Sequence, residues 1–509
     1  MMYARGGPVQ WDDVTSTSAL RLRPHKRVDL EKSTLFLSDD SPGWVAVPRE
    51  QTEFLSRIDG MNAECLSAGE HDGRRKTIEQ LYAAGLLSID GKTGLSGNSQ
   101  CGPSCRPATT GSNDRRVGSP QAQVTETPEL PNTLLIKLTG ACNWSCTYCY
   151  DYDRGRFRKS LRLEDVAHTI ETIIARHRRI AIMFHGGEPL LQHAEMMRIV
   201  EFANDRCRDH GGKAHFSLQT NGVLIDQSII DFLDRHHFDV GMSLDGPPEI
   251  NDLTRVDHLG RGTARAVELL FARRPEFMTR RVGIITTVTS VNVDRLSEVA
   301  GYVRDLGVRS WKTAIFDTEG RGTAYPELRP AVPPFVDFMQ KWLGECDAGL
   351  WEGFKFKNVL ELLDTIASPK RPNMCLKFPC GAGREFIVAS ADRNLMACDA
   401  TYHPSFTLGT TDDDLSVVQK SANAQALFER EQWLLTEADC ATCPWLHYCA
   451  GTCMAKALIR HGTVKAVDDF ECAVRKAVFP LLFAGLADPK SRLRSYYLAS
   501  RGASPKERL

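Results

Sequence analysis

A loop of three closely spaced cysteines, directly after a predicted buried strand, constrains this chain more than any other feature of its sequence. Cys142, Cys146 and Cys149 have C-x3-C-x2-C spacing and follow the apolar run at residues 134–138. A four-iron cubane held by only three protein thiolates keeps one iron open to bind and reduce a small molecule. The alternatives are a zinc site or three unrelated thiols, but zinc sites usually show paired C-x2-C spacings that fill four positions. The spacing therefore favours an iron–sulfur cluster with a catalytic iron.

Three short motifs follow this cluster loop (residues 142–149), each at the end of an apolar run. They are His-Gly-Gly-Glu-Pro at 185–189, Gln-Thr-Asn-Gly at 219–222 and Ser-Leu-Asp-Gly at 243–246. With the cluster loop, they resemble the radical S-adenosylmethionine (radical SAM) superfamily, which has this cysteine spacing and an aromatic residue before the last cysteine, here Tyr148. Each motif is weak alone, but four in the order of the family are hard to obtain by chance.

The resemblance implies that these motifs bind S-adenosylmethionine. In the family, the Gly-Gly-Glu-Pro turn presents backbone and a carboxylate to the ammonium group of the cosubstrate, and glycine permits the close approach because it has no Cβ. Related peptide-modifying enzymes hold the methionyl carboxylate with a serine and an arginine, for which Ser243 and Arg255 are the candidates. The candidate cosubstrate-binding residues are Tyr148, Gly186, Gly187, Glu188, Gln219, Asn221, Ser243 and Arg255.

Apolar strand patterns alternate with helical patterns through the middle of the chain. The predicted strands lie near 134–138, 180–185, 215–219, 239–244, 282–289 and 310–316. Between the first two, Val166, Ile170, Ile173 and Ile174 share one face of a predicted helix. The alternation predicts an α/β fold with a parallel sheet and right-handed crossovers, here a partial (β/α)6 barrel of the TIM type. Because sites in such barrels lie at the C-terminal ends of the strands, the cluster loop and the motifs should converge on one mouth.

Eight further cysteines are concentrated in about a hundred residues near the C terminus, enough for two closed four-ligand sites. They are Cys375, Cys380, Cys398, Cys440, Cys443, Cys449, Cys453 and Cys472. The chain shows no evident signal peptide or transmembrane run, so clusters are favoured over disulfides or zinc, since cytosolic thiols are kept reduced. This region resembles the SPASM domain, which carries two auxiliary [4Fe-4S] clusters in many peptide-modifying radical SAM enzymes.

The SPASM resemblance divides the eight thiols into two quartets. The first quartet is Cys375, Cys380, Cys398 and Cys453, and the second quartet is Cys440, Cys443, Cys449 and Cys472. With the cluster loop, the implied cofactors are three [4Fe-4S] clusters and S-adenosylmethionine. One position departs from the family, which usually has glycine five residues before Cys398, where this chain has Arg393. We expect Asn394 to supply the positive φ of that turn.

Asp399, directly after Cys398, is the candidate catalytic side chain outside the clusters. In anaerobic sulfatase-maturating enzymes, which share the SPASM domain, an aspartate in this place is proposed to accept the substrate proton. A carboxylate held beside the substrate can serve as a general base. The alternative is an aspartate that caps a turn or hydrogen-bonds the backbone near the cluster.

The segment before the barrel has a pattern of its own. It predicts short strands at 34–37 and 43–47, helices at 51–58 and 75–87, and a last strand near 87–90. This α+β pattern resembles the small winged-helix peptide-recognition domain in machinery for ribosomally made, modified peptides, which binds a leader peptide as an added strand. The alternatives are a structural cap or a degenerate remnant. We expect the Arg and Lys residues of the first thirty positions to form a solvated arm.

The expected organisation of the 509 residues has six parts. They are an N-terminal domain at 1–92, a flexible linker at 93–130, the barrel at 131–325, a helical bridge at 326–374, the SPASM domain at 375–475 and a helical tail at 476–509. The linker contains Cys101 and Cys105, which could bind a metal or form a disulfide, although a flexible linker is the simpler interpretation. A net charge of −1 gives no electrostatic reason to expect nucleic acid or an anionic membrane as a partner.

The resemblance implies an enzyme that cleaves S-adenosylmethionine reductively to a 5′-deoxyadenosyl radical, which takes a hydrogen from a substrate residue. The leading hypothesis is a cytoplasmic maturase that oxidatively modifies a ribosomally synthesised precursor peptide or protein by a thioether, carbon–carbon or carbon–oxygen cross-link. Its electrons would come from a donor such as flavodoxin or ferredoxin. The alternative is sulfatase-type maturation to formylglycine. An alternative of another class is an iron–sulfur electron carrier or redox sensor, against which the three cosubstrate motifs argue.

Overall fold

The computed structural model describes residues 2–3, 18–39, 43–58, 72–93, 130–368 and 373–501. Within these ranges the strands form sheets of ten, four and two members. Most of the expected linker, with Cys101 and Cys105, lies outside the described residues. No helix in the described ranges is long and apolar enough to cross a membrane.

The N-terminal part combines two small sheets with two helices. Its elements are β1 (Met2–Tyr3), β2 (Leu20–Leu22), β3 (His25–Asp29), β4 (Ser33–Ser38), β5 (Trp44–Pro48), α1 (Arg49–Ser56), α2 (Asp72–Ala83) and β6 (Leu87–Ile89). The strand order is β1-β5-β4-β3 in one sheet and β2-β6 in the other. His25–Asp29 is not the free arm that was expected, since it pairs antiparallel with β4, although Arg27 is exposed as expected.

The central strands β4 and β5 are buried on both faces of the four-stranded sheet, and successive side chains of each strand point to opposite faces. Phe36 and Val45 face a small core made with α1 and α2, whereas Leu35 and Trp44 belong to the main core of the molecule. The indole Nε1 of Trp44 donates to the carbonyl of Ile366 at 3.1 Å. The N-terminal part is therefore packed onto the rest of the chain.

The middle of the chain alternates strands and helices as the sequence predicts. The elements are β7 (Thr133–Lys137), α3 (Leu163–His177), β8 (Arg179–His185), α4 (His193–Asp209), β9 (Lys213–Thr220), α5 (Gln227–Arg235), β10 (Asp239–Ser243), α6 (Pro248–Asn251), α7 (Ala264–Arg273), α8 (Pro275–Arg281), β11 (Val282–Val288), α9 (Leu296–Asp305) and β12 (Ser310–Ile315). Neighbouring strands from β7 to β12 pair in parallel. The expected face of α3, including Val166 and Ile170, is fully buried. The predicted α/β fold with a parallel sheet is confirmed.

The rest of the chain adds strands at both edges of this sheet, together with further helices. They are α10 (Val332–Ala348), β13 (Lys355–Phe356), α11 (Lys357–Ala367), β14 (Phe386–Ala389), β15 (Asn394–Met396), β16 (Thr407–Thr410), α12 (Leu415–Val418), α13 (Ala422–Thr436), α14 (Leu446–Cys449), α15 (Met454–His461), α16 (Asp469–Ala487) and α17 (Arg492–Ser500). The full order is β13-β12-β11-β10-β9-β8-β7-β14-β15-β16. Because β14 pairs in parallel with β7, the cysteine-rich region continues the barrel sheet. Helix α16 runs across the boundary expected after residue 475.

The tight turn between β14 and β15 uses a residue other than the one expected. Arg393 itself takes the left-handed conformation, with φ of 69°, and Asn394 already begins β15. A left-handed backbone costs a non-glycine residue about 1 kcal/mol or more. The Arg393 guanidinium is held by Asp165 at 3.2 Å and Asp412 at 2.7 Å. The hairpin thus forms without glycine.

Candidate active site

The cluster loop leaves β7 and is clamped by chain segments that follow two other strands. The backbone N–H groups of Ser145 and Thr147 donate to the carbonyls of Val256 and Thr254, at 2.7 and 2.9 Å. The guanidinium of Arg321 donates to the carbonyl of Cys146 at 3.0 Å. These bonds fix the loop through its backbone, so its cysteine side chains remain available as ligands.

The three thiols of the loop are mostly enclosed by protein. Burial raises the pKa of Cys142 to about 12 and the pKa of Cys149 to about 11, and it also raises the pKa of Cys146. Thiolates in such surroundings need a metal in place of the proton, which fits an iron–sulfur cluster. Within the described residues no three His, Cys, Asp or Glu side chains surround a point where one metal ion could bind.

The Gly-Gly-Glu-Pro turn packs tightly against the cluster loop. A Cβ at Gly187 would lie 2.0 Å from the carbonyl oxygen of Ala141, and the N–H of Glu188 donates to that carbonyl at 2.8 Å. The Glu188 carboxylate is only 1% exposed and accepts hydrogen bonds from the Thr220 hydroxyl and the Asn221 N–H, at 2.7 and 2.8 Å. The glycines therefore allow contact between the two loops, and the carboxylate ties the ends of β8 and β9 together.

A buried triad joins the cluster loop to the ends of β10 and β11. Tyr148 donates from Oη to Asp245 at 2.5 Å and accepts a hydrogen bond from Arg255. The Nε of Arg255 is buried and has no hydrogen-bond partner among the described residues. Arg255 thus retains a free, buried donor close to Cys146 in the cluster loop.

The other predicted cosubstrate residues lie along the same mouth. Gln219 donates from Nε2 to the Ser243 hydroxyl at 3.4 Å, which links β9 to β10. Asn221 donates from Nδ2 to the side-chain oxygen of Asn143 in the cluster loop, at 2.8 Å. The structure therefore brings the predicted cosubstrate residues together around the cluster loop.

The eight thiols near the C terminus lie in two groups. In the first quartet, the pKa of Cys375 is raised by burial and then by the neighbouring thiols of Cys380 and Cys453. In the second quartet, burial and the thiols beside Cys440 raise its pKa to about 11. Those neighbouring thiols are Cys449, Cys443 and Cys472.

The N-terminal part contacts the loop that carries two thiols of the second quartet. Lys26, in β3, donates from Nζ to the carbonyls of Ala441 and Cys443 at 3.0 and 3.1 Å. His447 binds the carbonyl of Asp39 at 2.7 Å. The second quartet is therefore enclosed partly by the N-terminal sheet.

Asp399 lies where the first quartet meets the cluster loop. Its carboxylate accepts a hydrogen bond from the Tyr150 hydroxyl at 3.3 Å, and that hydroxyl also lies 3.4 Å from His185 Nε2. The Cys398 thiol approaches the other carboxylate oxygen at 3.8 Å. These side-chain partners place the carboxylate at the junction of the two sites.

A buried lysine, which the sequence argument missed, holds these loops together. Lys137 is 1% exposed and donates from Nζ to Asp151 at 2.5 Å and to the carbonyl of Asp399 at 2.7 Å. Asp151 Oδ2 accepts a hydrogen bond from the Gly187 N–H at 2.8 Å. Asp151 Oδ1, which binds Lys137, also accepts one from the Tyr402 hydroxyl at 2.8 Å. The sequence signal for this buried partner was a lysine inside an otherwise apolar predicted strand, because lysine is rarely fully buried unless it is paired.

The fold and this site define a radical SAM enzyme, and residues 136–303 match the family model described as the Radical SAM superfamily. The alternative of an electron carrier without turnover is therefore set aside. The chain is similar to the cysteine-type anaerobic sulfatase-maturating enzyme of Clostridium perfringens (strain 13 / Type A), with 28% identity over 347 residues that cover 64% of this chain and 89% of the relative. It is also similar to the serine-type enzyme of Klebsiella aerogenes, with 27% identity over 344 residues that cover 64% of this chain and 80% of the relative.

Two solved structures share the fold over most of their length. The structure described as native anSMEcpe with bound AdoMet has a TM-score of 0.60 and 23% identity, and covers 70% of this chain and 99% of its own. Streptococcus suis SuiB has a TM-score of 0.52 and 14% identity, and covers 90% of this chain and 99% of its own. The partial-barrel fold is thus shared with both.

Proposed function

We propose that this enzyme is a maturase that oxidatively modifies a ribosomally synthesised peptide or protein, forming a thioether, carbon–carbon or carbon–oxygen cross-link. The observation that supports a radical maturase is the junction at Asp399, which suits formylglycine formation as well, and the N-terminal part is what favours cross-linking. At the junction a carboxylate from the cysteine-rich region meets Tyr150, directly after the cluster loop, within hydrogen-bond distance. Such a junction would hold a substrate residue between the radical source and a proton acceptor.

The cysteines would hold three [4Fe-4S] clusters. Cys142, Cys146 and Cys149 would bind the cluster with the open iron, and the first and second quartets would bind the auxiliary clusters. When bound and reduced, the cluster with the open iron supplies the electron that splits S-adenosylmethionine into methionine and a 5′-deoxyadenosyl radical. A flavodoxin or ferredoxin would be the electron donor.

Residues around the cluster loop would bind and orient the cosubstrate. The unpaired, buried Nε of Arg255 fits an anionic group such as the methionyl carboxylate, because a desolvated guanidinium donor without a partner is costly. Ser243 and Gln219, hydrogen-bonded to each other, would complete this side of the pocket. The walls of the barrel would exclude water from the radical.

Asp399→Asn should separate radical formation from product formation. The amide cannot accept the proton that the substrate loses, and general-base groups typically contribute about 10²- to 10⁴-fold to rate. We expect product yield to fall by at least about 10²-fold, while iron content and 5′-deoxyadenosine release stay unchanged. Asp337→Asn, at an exposed position of α10, is the control. Equal product yield from Asp399→Asn and the wild type would make Asp399 a structural residue.

The N-terminal part supports a peptide substrate with a leader segment. The match to SuiB covers 90% of this chain. The unmatched tenth is shorter than the segment before β7, so the match extends into the N-terminal part. In the four-stranded sheet, β3 and β1 are the outer strands, and an extended peptide can add to such an edge. We therefore include leader recognition by the N-terminal domain, residues 1–92, in the proposed function.

Sulfatase-type maturation to formylglycine is the second candidate function, and the 28% identity to the Clostridium perfringens enzyme favours it. Mass spectrometry separates the two candidates. The protein is co-expressed with each short open reading frame beside its gene, and the peptide products are analysed. A loss of two hydrogens is expected for cross-linking. A mass change that corresponds to conversion of cysteine to an aldehyde would instead support the second candidate.

A further inference from the structure

A buried chain of hydrogen bonds joins the first quartet to the second. Glu471, on α16, accepts from the N–H of Cys453 at 3.1 Å and from Arg475 Nη2 at 2.7 Å. Arg475 Nη1 donates to the Cys449 thiol at 3.4 Å and also to the carbonyl of Cys449. One carboxylate and one guanidinium thus connect a thiol residue of each quartet.

Cationic side chains lie beside both quartets, but they differ in whether they meet a sulfur. Arg475 directs its guanidinium to a sulfur of the second quartet, and in the described part of the chain it is the one cationic side chain that donates to a cysteine sulfur. Arg384 and Arg430 lie beside Cys380 and donate to Glu431 and to backbone carbonyls. Lys312 pairs with Glu361 at 2.8 Å, and Lys456 lies 3.4 Å from Glu471.

Hydrogen bonds to ligand sulfurs and nearby positive charge raise the reduction potential of an iron–sulfur cluster, because the reduced state carries one more negative charge. We infer that Arg475, through its bond to the Cys449 sulfur, raises the reduction potential of the second-quartet cluster. The inference rests on the proposed function, in which both quartets bind clusters.

The inference bears on the electron that the substrate must lose. In the proposed function the substrate radical would give one proton to Asp399 and one electron to the auxiliary clusters, and a raised potential at the second quartet would favour transfer of the electron to that end. A one-electron carrier such as flavodoxin or ferredoxin would then accept it.

Arg475→Met tests this inference without any substrate. The methionine retains an apolar stem, and Glu471 keeps Lys456 and the Cys453 N–H as partners, so the variant should fold. The readout is an anaerobic redox titration followed by electron paramagnetic resonance on the reconstituted full-length protein. We expect the midpoint potential of one auxiliary cluster to move to a more negative value, with about twelve irons retained. That cluster is identified by the signal lost when Cys440 and Cys443 are both replaced by alanine.

Two further variants sharpen the test. Arg475→Lys keeps the charge and should shift the potential less than Arg475→Met does. Arg384→Met removes an arginine that stacks on Phe428, 4.0 Å from the ring centroid, and donates to no thiol in the described ranges, so it should leave the second-quartet potential unchanged.

Three results would overturn the inference. Unchanged potentials in Arg475→Met, or a shift confined to the first-quartet cluster, would contradict it while the proposed function stands. Loss of about four irons in this variant would make Arg475 a residue required for cluster retention. A wild-type protein with only about four irons would instead refute the auxiliary clusters themselves, and the inference with them.

Discussion

Replacing Cys142, Cys146 and Cys149 together with alanine should abolish cleavage of S-adenosylmethionine and lower the iron content from about twelve to about eight per chain. Only the cluster with an open iron can bind the cosubstrate, so its loss removes the source of the radical. The loop should keep its conformation, because Ser145, Thr147 and Arg321 hold it through bonds to the backbone. Iron and sulfide analysis, with chromatographic assay of 5′-deoxyadenosine after chemical reduction, measures both effects.

Cys207→Ala and Cys346→Ala provide matched controls for this triple variant. Both thiols are buried, 2% exposed in each case, and both lie outside the cluster loop and the quartets. Each control should keep its iron and its cleavage activity. Normal 5′-deoxyadenosine release from the triple variant would contradict the assignment of the radical source to this loop.

The barrel could be predicted from sequence because its strands bury every second side chain and half-bury most of those between, which leaves apolar runs such as residues 180–184. The pairing of β14 with β7 could not be predicted from the sequence. Phe386–Ala389 is a short strand whose partner lies about 250 residues earlier, and no local pattern specifies so distant a neighbour. Yet this pairing is what brings Asp399 to the cluster loop.

Local patterns also misjudged charged residues. The Lys and Arg residues of His25–Asp29 indicated a solvated segment, but long basic side chains can lie along a surface and still reach a partner, as Lys26 does at Ala441. Arg393 occupies a turn position that favours glycine, and its ion pairs with Asp165 and Asp412 become visible only when distant segments are placed. Charge composition therefore predicts the exposure of Arg27 and Arg393, but it does not predict the partners that charged side chains bind.

The ion pair between Lys137 and Asp151 has the strongest expected effect on stability. Both side chains are buried, 1% and 7% exposed. Burial alone would raise the pKa of Asp151, but the adjacent Lys137 and the Gly187 N–H outweigh it, so the pKa lies below its ordinary value of 3.8. The stabilisation from this carboxylate is therefore present above pH 3.8 and is lost as the pH falls through the lowered pKa.

Lys137→Met should lower the free energy of unfolding by about 3–5 kcal/mol at neutral pH, because it leaves a buried carboxylate without its cation. The loss should shrink as the pH falls toward 4, since burial without the lysine raises the pKa of Asp151 and the proton then neutralises the carboxylate. Urea unfolding at several pH values measures both effects. The double variant Lys137→Met with Asp151→Asn should be more stable at neutral pH than Lys137→Met alone.

Lys312→Met is the matched control, because Lys312 also lies at the barrel mouth and pairs with a carboxylate, that of Glu361 at 2.8 Å. That lysine is 39% exposed, so solvent screens the pair and its removal should cost at most about 1 kcal/mol. Equal losses from the two lysine variants would show that burial does not strengthen the Lys137 pair. A double variant no more stable than Lys137→Met would show that the lysine acts through the Asp399 carbonyl, which it also binds, and not through the charge of Asp151.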